Sequence, residues 1–255
     1  MKIHFLGTCS GTEPMPDMHQ CSLVFEIDGW YYWFDAGEGC AHRAYTSGID
    51  FMKIRTLTIS HPHIDHIGGL AHLLWTVGKH QVRYKQQLEC GFLNVFLPDE
   101  KFFDASLGIL YAAPGYEIKR NAILDGVIYE DNAVRISAVH NRHLREDDTT
   151  GFHSYSFLIE AEGKRIIYSG DIFSYSELDS FVKDGCDLII GETGHHKVCD
   201  VCDYAVNHGV KSLIFNHHGR EILEGREAAE NYVAKRAAAS GMPIKIAYDG
   251  MVEEI

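Results

Sequence analysis

A short segment in the first quarter of the chain carries four side chains of the types that bind divalent metal ions. It reads Ser-His-Pro-His-Ile-Asp-His, and its candidate ligands are His61, His63, Asp65 and His66. Alternate residues of an extended segment share one face, so His61 and His63 can chelate one ion. Asp65 and His66 then point elsewhere and can bind a second ion. Imidazole and carboxylate groups suit Zn²⁺, Mn²⁺ or Fe²⁺, and no thiolate takes part.

The elements around this segment must hold it at the end of a strand. Leu57–Ser60 is predicted to be a buried strand that ends at the first histidine, and a helix is predicted at about 69–79. The glycines at 68 and 69 let the chain turn tightly between the two. A polar loop with surface or capping histidines is the simpler interpretation, but three histidines and an aspartate within six residues favour a metal site.

Hairpins followed by strand–helix alternation recur in both halves of the chain. This pattern predicts an α/β fold with two mixed sheets packed face to face and helices outside. A length of 255 residues suits one domain over 1–255. The predicted strands cover 2–6, 21–27, 30–34, 57–60, 94–97, 116–119, 127–129, 134–139, 154–160, 164–169, 188–190, 212–215 and 244–247. The predicted helices cover 40–46, 69–79, 99–110, 176–183, 197–207 and 221–239.

The run His61-x-His63-x-Asp65-His66 resembles the signature motif of the metallo-β-lactamase superfamily, and the resemblance extends over nearly the whole chain. It implies a four-layer αββα sandwich of two mixed β-sheets flanked by helices. Four further segments are similar to family motifs: 6–11, 34–39, 168–171 and 214–217.

The resemblance also implies a dinuclear centre, for which we favour zinc, with manganese or iron as alternatives. One ion is expected on His61, His63 and His143, and the other on Asp65, His66 and His217, with Asp171 bridging both. A bridging hydroxide is the expected nucleophile, and Asp65 is expected to orient it besides being a ligand. Asp35 is expected to orient a histidine from behind, as outer carboxylates do; the alternative is an aspartate that caps its own turn.

For two of these expected ligands, a neighbouring histidine is the alternative. Aligning Ile136–Val139 with the family's strand places His143, and not His140, at the ligand position. His217 directly follows a predicted strand, and we therefore prefer it to His218.

Other residues have weaker interpretations. The family comparison favours His196 over His195 as the proton donor to the leaving group, while two exposed histidines at a helix start remain the alternative. We expect Tyr175 to be a packing or surface residue more than a substrate contact. Arg220 and Glu221 suit either recognition of an anion or a surface ion pair. The Cys199-x-x-Cys202 pair has no second pair beside it, so packing on one helix face is the preferred interpretation.

Differences between this chain and the known subfamilies of the superfamily narrow the range of predicted activities. Ribonuclease Z and its smaller phosphodiesterase relatives are the most similar in Gly7-Thr8, the 35–39 segment and Glu192-Thr193. In ribonuclease Z a long arm that grips tRNA lies between the third histidine motif and the bridging aspartate. Here His143 and Asp171 are only 28 positions apart, with a plain hairpin predicted between them. We therefore predict a phosphodiesterase for a compact substrate. A tRNA 3′-processing endonuclease, a lactone or ester hydrolase, and a non-catalytic metal-binding protein are the alternatives.

Composition limits the partners. The formal net charge of −13 repels long nucleic acid unless a local basic patch overrides it, so a small molecule or short phosphodiester is the expected substrate. No apolar run is long enough for a membrane span, and the chain starts without signal-peptide features. The odd number of scattered cysteines, 7, suits free thiols in the cytoplasm. A homodimer is expected by analogy alone.

Overall fold

The computed structural model describes residues 1–110, 115–144 and 152–255. The chain divides into two compact units. Unit 1 comprises Met1–Gly7, Gly11–Ile123 and Asp249–Ile255, and unit 2 comprises Thr8–Ser10 and Leu124–Tyr248. Among the described residues, none of the helices combines the length and the apolar character that crossing a bilayer requires. Our prediction of a single domain over 1–255 stays a prediction.

Unit 1 contains a mixed sheet of seven strands. The strands are β1 (Lys2–Gly7), β2 (Ser22–Ile27), β3 (Trp30–Phe34), β4 (Ile54–Thr58), β5 (Phe92–Leu97), β6 (Glu117–Ala122) and β14 (Val252–Glu254). Their order is β14-β1-β2-β3-β4-β5-β6. Pairing is antiparallel from β14 to β3 and parallel from β3 to β6. The hairpin predicted at Asp28-Gly29 joins β2 to β3, and both of its residues take positive φ angles, 50° and 76°.

Helices cover one face of this sheet. They are α1 (Cys40–Thr46), α2 (Ile64–Ile67), α3 (Leu70–Tyr84) and α4 (Glu100–Ile109), with a 3₁₀ turn at Phe51–Lys53. The buried residues of α3 recur at helical spacing, at Leu70, Leu73, Leu74 and Val77. They pack in one apolar cluster with Trp33, Leu57 and Val95 of the sheet.

Unit 2 repeats this plan. Its strands are β7 (Gly126–Glu130), β8 (Val134–His140), β9 (Tyr155–Ala161), β10 (Lys164–Tyr168), β11 (Leu188–Glu192), β12 (Leu213–Asn216) and β13 (Ile244–Ile246). Their order is β13-β12-β11-β10-β9-β8-β7, parallel from β13 to β10 and antiparallel from β10 to β7. Active residues in such sheets collect where parallel strands end.

The helices of unit 2 pack on its sheet in the same way. They are α5 (Asp179–Val182), α6 (Val198–Asn207), α7 (Arg220–Leu223) and α8 (Arg226–Ser240), with a 3₁₀ turn at Tyr175–Leu178. Val198, Val201, Cys202 and Ala205 form the buried stripe of α6. They pack in the core of unit 2 with Ile189, Leu213 and Phe215.

The structure corrects three predicted elements. The helix predicted over 221–239 is two helices, α7 and α8, and Gly225 lies between them as the N-cap of α8. The helix predicted over 176–183 begins as the 3₁₀ turn and ends as α5. The predicted strand 57–60 is β4, which ends at Thr58, so the histidine segment starts further beyond the strand. The plain hairpin expected between His143 and Asp171 is only partly described, because 145–151 lie outside the described residues.

A close approach of two backbone segments fixes the end of the histidine loop. A Cβ atom on Gly37 would lie 2.5 Å from the carbonyl oxygen of Asp65, and one on Gly69 would lie 2.2 Å from the carbonyl oxygen of Gly37. The amide of Gly69 donates to the carbonyl of Ala36 over 2.7 Å. Glycine is therefore required where segment 35–37 meets segment 65–69.

We expect Gly37→Ala to lower the free energy of unfolding by about 1–3 kcal/mol, because backbone atoms must shift to admit the methyl group. Gly108→Ala is the matched control, since a Cβ there meets nothing within 4 Å. That change, inside α4, should leave stability equal or raise it by up to about 1 kcal/mol. Urea unfolding followed by circular dichroism checks both. Equal stabilities for the two variants would contradict the close approach.

Candidate metal centre

The first group of predicted ligands lies in unit 1, in the loop after β4. His61 and His66 are fully buried, Asp65 is nearly so, and His63 is exposed at the N-cap position of α2. The ring centres of His61 and His63 are 4.7 Å apart, and those of His61 and His66 are 4.1 Å apart. Asp65 Oδ2 lies 3.4 Å from His66 Nε2. The structure therefore brings these four side chains together.

Asp35 lies behind this group and is fully buried. Its Oδ2 accepts hydrogen bonds from His66 Nδ1 (2.8 Å) and Ser60 Oγ (2.9 Å), and its Oδ1 accepts from the amide of Ser60 (2.7 Å). Because Nδ1 of His66 is engaged with Asp35, a metal ion would bind this histidine through Nε2. The backbone of Asp35 has φ 56°, a region that aspartate enters more readily than most residues.

Asp35→Asn is expected to weaken metal binding about 10- to 100-fold, because the amide offers one acceptor oxygen where the carboxylate offers two. Asparagine also tolerates the positive φ angle, so the backbone should be retained. Competition with a chromophoric chelator measures the affinity.

Asp125→Asn is the matched control for this substitution. The carboxylate of Asp125 also binds a histidine, at 2.6 Å from His140 Nδ1, but that histidine is not a predicted ligand. The Asp125→Asn variant should bind metal as tightly as the unmodified chain does. If Asp35→Asn binds metal as tightly as Asp125→Asn does, Asp35 has no orienting role.

The second group of predicted ligands lies in unit 2, around Asp171. This residue follows β10 through Gly170 and is 1% exposed. Its Oδ1 lies 3.3 Å from His217 Nδ1, and its Oδ2 lies 3.7 Å from His143 Nε2. Each oxygen of one carboxylate thus faces a different histidine, which is the arrangement expected of a carboxylate shared between two ions.

The neighbouring histidines point elsewhere in the same unit. His140 pairs with Asp125 and stacks on the ring of Phe152, with ring centres 3.6 Å apart. His218 Nε2 donates to the carbonyl of Ala247 over 2.9 Å, and burial lowers the pKa of His218 to about 4. A buried neutral histidine bonded to the backbone suits a structural role. The geometry therefore favours His143 and His217 as ligands.

Glu192, at the end of β11, joins the second group. Burial opposes ionisation of Glu192, but the hydrogen bond from His195 and the nearby imidazole of His217 outweigh it and lower the pKa of Glu192 to about 2. His195 Nδ1 lies 3.0 Å from Glu192 Oε1 and 3.8 Å from Asp171 Oδ2. The hydrogen bond to Glu192 raises the pKa of His195 although burial lowers it.

His195 and His196 occupy different environments. The side chain of His195 is 44% exposed, and its ring centre is 4.7 Å from that of His143. His196 is 17% exposed, and its Nε2 donates to the carbonyl of Ile172 over 3.0 Å. Its ring meets the edge of Tyr175, whose hydroxyl donates to the carbonyl of Glu192 over 2.7 Å. His196 and Tyr175 are thus held by the backbone of unit 2.

The remaining side chains that the sequence singled out pack or pair at the surface. Burial raises the pKa of Cys202 to about 12, as expected of an inert packing thiol. Arg220 Nη1 pairs with Glu224 Oε1 at 3.0 Å, and Glu221 accepts from the amide of Val198 over 2.9 Å.

Glu177 was not predicted from the sequence, and it connects the two loops of unit 2 that carry the candidate ligands His143 and Asp171. Its Oε1 accepts from the amide of Arg142 (3.0 Å) and its Oε2 from the amide of Phe173 (3.0 Å). The sequence does contain a signal, because Ser174 and Glu177 have capping-box spacing and the structure has that capping box.

The donors of both groups fit divalent metal ions. They are imidazole nitrogens and carboxylate oxygens, which bind Zn²⁺, Mn²⁺ and Fe²⁺. In unit 1 the outer carboxylate of Asp35 supports a candidate ligand, as outer carboxylates do in metal sites.

Comparisons with known proteins agree with this chemistry. The family described as "Anti-Pycsar protein Apyc1" matches residues 1–90. The chain is 23% identical to ribonuclease Z of Mycobacterium avium, over 94% of this chain and 93% of that protein. The short form of human tRNase Z has a similar structure, with a TM-score of 0.75 and 18% identity. The match covers 100% of this chain and 99% of that protein. The metallo-β-lactamase fold protein YhfI of Bacillus subtilis is also similar in structure, with a TM-score of 0.76 and 16% identity. The match covers 100% of this chain and 99% of that protein.

Fold and relatives together define the class: the chain has the metallo-β-lactamase fold and is a metal-dependent hydrolase. Over nearly its whole length the chain is similar to ribonuclease Z proteins. The predicted fold class, family resemblance and enzyme class are confirmed.

Proposed function

We propose that the chain binds two divalent metal ions and hydrolyses a compact phosphodiester. The proposed ligands are those expected from the sequence, namely His61, His63, Asp65, His66, His143, Asp171 and His217. The observation that carries the proposal is Asp171 in unit 2, whose two oxygens lie 3.3 Å and 3.7 Å from two different histidines. Zinc is the favoured metal, with manganese or iron as alternatives.

The chain's own residues have distinct roles in this proposal. When bound, the ions would supply Lewis acidity that activates water and offsets the charge of the phosphoryl group. Asp65 orients the attacking water. Asp35 holds His66 through Nδ1 and would thereby orient Nε2 toward a bound ion.

We assign the proton donor for the leaving group to His195, in place of the His196 that the sequence favoured. Nε2 of His196 is engaged by the carbonyl of Ile172, whereas His195 is bound through Nδ1 to Glu192 and is half-exposed. The Glu192 hydrogen bond fixes the ring of His195 and leaves Nε2 for the substrate.

A compact substrate is supported by charge and by spacing. The net charge of −13 disfavours a long polyanion. The 28 positions between His143 and Asp171 leave no room for the long tRNA-gripping arm of ribonuclease Z.

Processing of tRNA 3′ ends is the second candidate. Its support is the similarity to ribonuclease Z of Mycobacterium avium, which extends along 94% of this chain.

Metal analysis and a substrate panel test the proposal. We expect about two ions per chain and turnover of an aryl phosphodiester with added Mn²⁺ or Zn²⁺. Lactones, carboxylic esters and precursor tRNA complete the panel. Less than one ion per chain together with inactivity would overturn the proposal in favour of a non-catalytic protein. Efficient trimming of precursor tRNA at physiological salt would favour the second candidate.

A further inference from the structure

We propose that Arg142 and Phe173 form a nucleotide-recognition pair in unit 2, with the ring of Phe173 stacking on a base and Arg142 binding a phosphate oxygen. The substrate class would then be a phosphodiester of a nucleoside with an unpaired base. This inference rests on the proposed function and extends it to the substrate.

The pair lies next to two proposed ligands. Arg142 directly precedes His143, and Phe173 follows Asp171 by two residues. The guanidinium carbon of Arg142 is 5.7 Å from the ring centre of Phe173, within the range of cation–π contacts. Both side chains are outside the core, at 70% exposure for Arg142 and 61% for Phe173.

Glu177 holds the pair in position. Its side chain is 10% exposed, and its Oε1 accepts from the amide and the Nε of Arg142 over 3.0 and 3.2 Å. Its Oε2 accepts from the amides of Phe173 and Ser174 over 3.0 and 3.2 Å. One carboxylate therefore fixes both backbones, which lowers the entropy lost when a ligand binds.

The chemistry of the two side chains selects the ligand. Aromatic rings bind unpaired bases by stacking, without regard to sequence. A guanidinium group engaged through Nε keeps its terminal nitrogens for a phosphate oxygen. In a chain with a net charge of −13, a cation beside the proposed ligands offsets repulsion of an anionic substrate.

Two substrates that share the same leaving group separate the role of Phe173 from that of Arg142. They are thymidine 5′-(p-nitrophenyl phosphate) and methyl p-nitrophenyl phosphate, which lacks a base. Phe173→Ala should lower kcat/KM for the thymidine ester about tenfold and leave the methyl ester within about twofold. Phe173→Trp should retain the preference for the thymidine ester. Arg142→Ala should lower kcat/KM for both esters, because both carry the phosphate.

Tyr232→Ala is the control, since Tyr232 is an exposed aromatic residue of α8 at 39%. Tyr232→Ala should leave kcat/KM unchanged for both esters. An equal loss on both esters in Phe173→Ala, or no loss on either, would overturn the pair.

Binding of thymidine 5′-monophosphate to the metal-loaded protein, measured by calorimetry, tests the pair without turnover. We expect Phe173→Ala to weaken the Kd about tenfold. If the unmodified chain hydrolyses neither ester, the proposed function fails while this measurement still decides on the pair. Equal affinity of the two proteins for the nucleotide would overturn it.

Discussion

Asp171→Ala is expected to lower the metal content below that of the unmodified chain and to reduce kcat/KM by about 10³-fold or more. The proposed role of Asp171 is to bridge both ions, so its loss weakens both sites at once. Two bound ions would contribute several kcal/mol of transition-state stabilisation, and each 1.36 kcal/mol is worth about tenfold in rate. Inductively coupled plasma mass spectrometry gives the metal content, and steady-state kinetics on an aryl phosphodiester gives the rate.

Asp203→Ala is the control, because Asp203 is an exposed aspartate of the same unit that pairs with Arg236 at 2.7 Å. It should keep full metal content and activity. Circular dichroism of both variants separates loss of metal from loss of fold. If Asp171→Ala retains about two ions and normal activity, the dinuclear proposal is wrong.

His195→Ala is expected to lower kcat/KM about 10²- to 10⁴-fold on substrates whose leaving group is an alkoxide, because such a group must be protonated as it departs. On a p-nitrophenyl ester the loss should be much smaller, since nitrophenolate leaves without a proton. The contrast between the two substrates distinguishes a proton donor from a residue that merely supports the fold.

His196→Ala provides the comparison within the same turn. It removes the hydrogen bond to the carbonyl of Ile172 and should cost about 1 kcal/mol of stability with no dependence on the leaving group. Thermal unfolding and the same two substrates give both readouts. A leaving-group dependence in His196→Ala, but not in His195→Ala, would restore the assignment made from the sequence.

The tertiary structure was needed for several elements. β14 is a three-residue strand with two glutamates, and only its pairing with β1 makes it a strand. The sequence did not predict the break at Gly225, because the residues on both sides of it continue a helical pattern. In the structure the helix is interrupted at this glycine, which has a low helix propensity. The beginnings of most helices were predictable, since buried residues recur at helical spacing, as in α3 and α6.

The candidate site was also predictable in part from the sequence and in part only from the tertiary structure. Residue types and spacing alone indicated the metal-binding character of His61, His63, Asp65 and His66, because few other roles require those donors so close together. Family motifs added Asp35, His143, Asp171 and His217. The direction of each side chain was not readable where two histidines stand close in sequence, as at His195 and His196.

The sequence by itself therefore indicated the chemical class of this protein: an α/β hydrolase of the metallo-β-lactamase fold, with histidine and aspartate candidate ligands after its strands. The local spacing of the donors indicates a metal site, and the resemblance to family motifs implies the fold and the other candidate ligands. Tertiary structure alone revealed Glu177 as the link between the Arg142 and Phe173 loops, and His195 as the exposed histidine beside Asp171. The bond between Glu177 and Arg142 spans 35 positions, and His195 and Asp171 are also far apart in sequence, so only the path of the folded backbone brings these partners together.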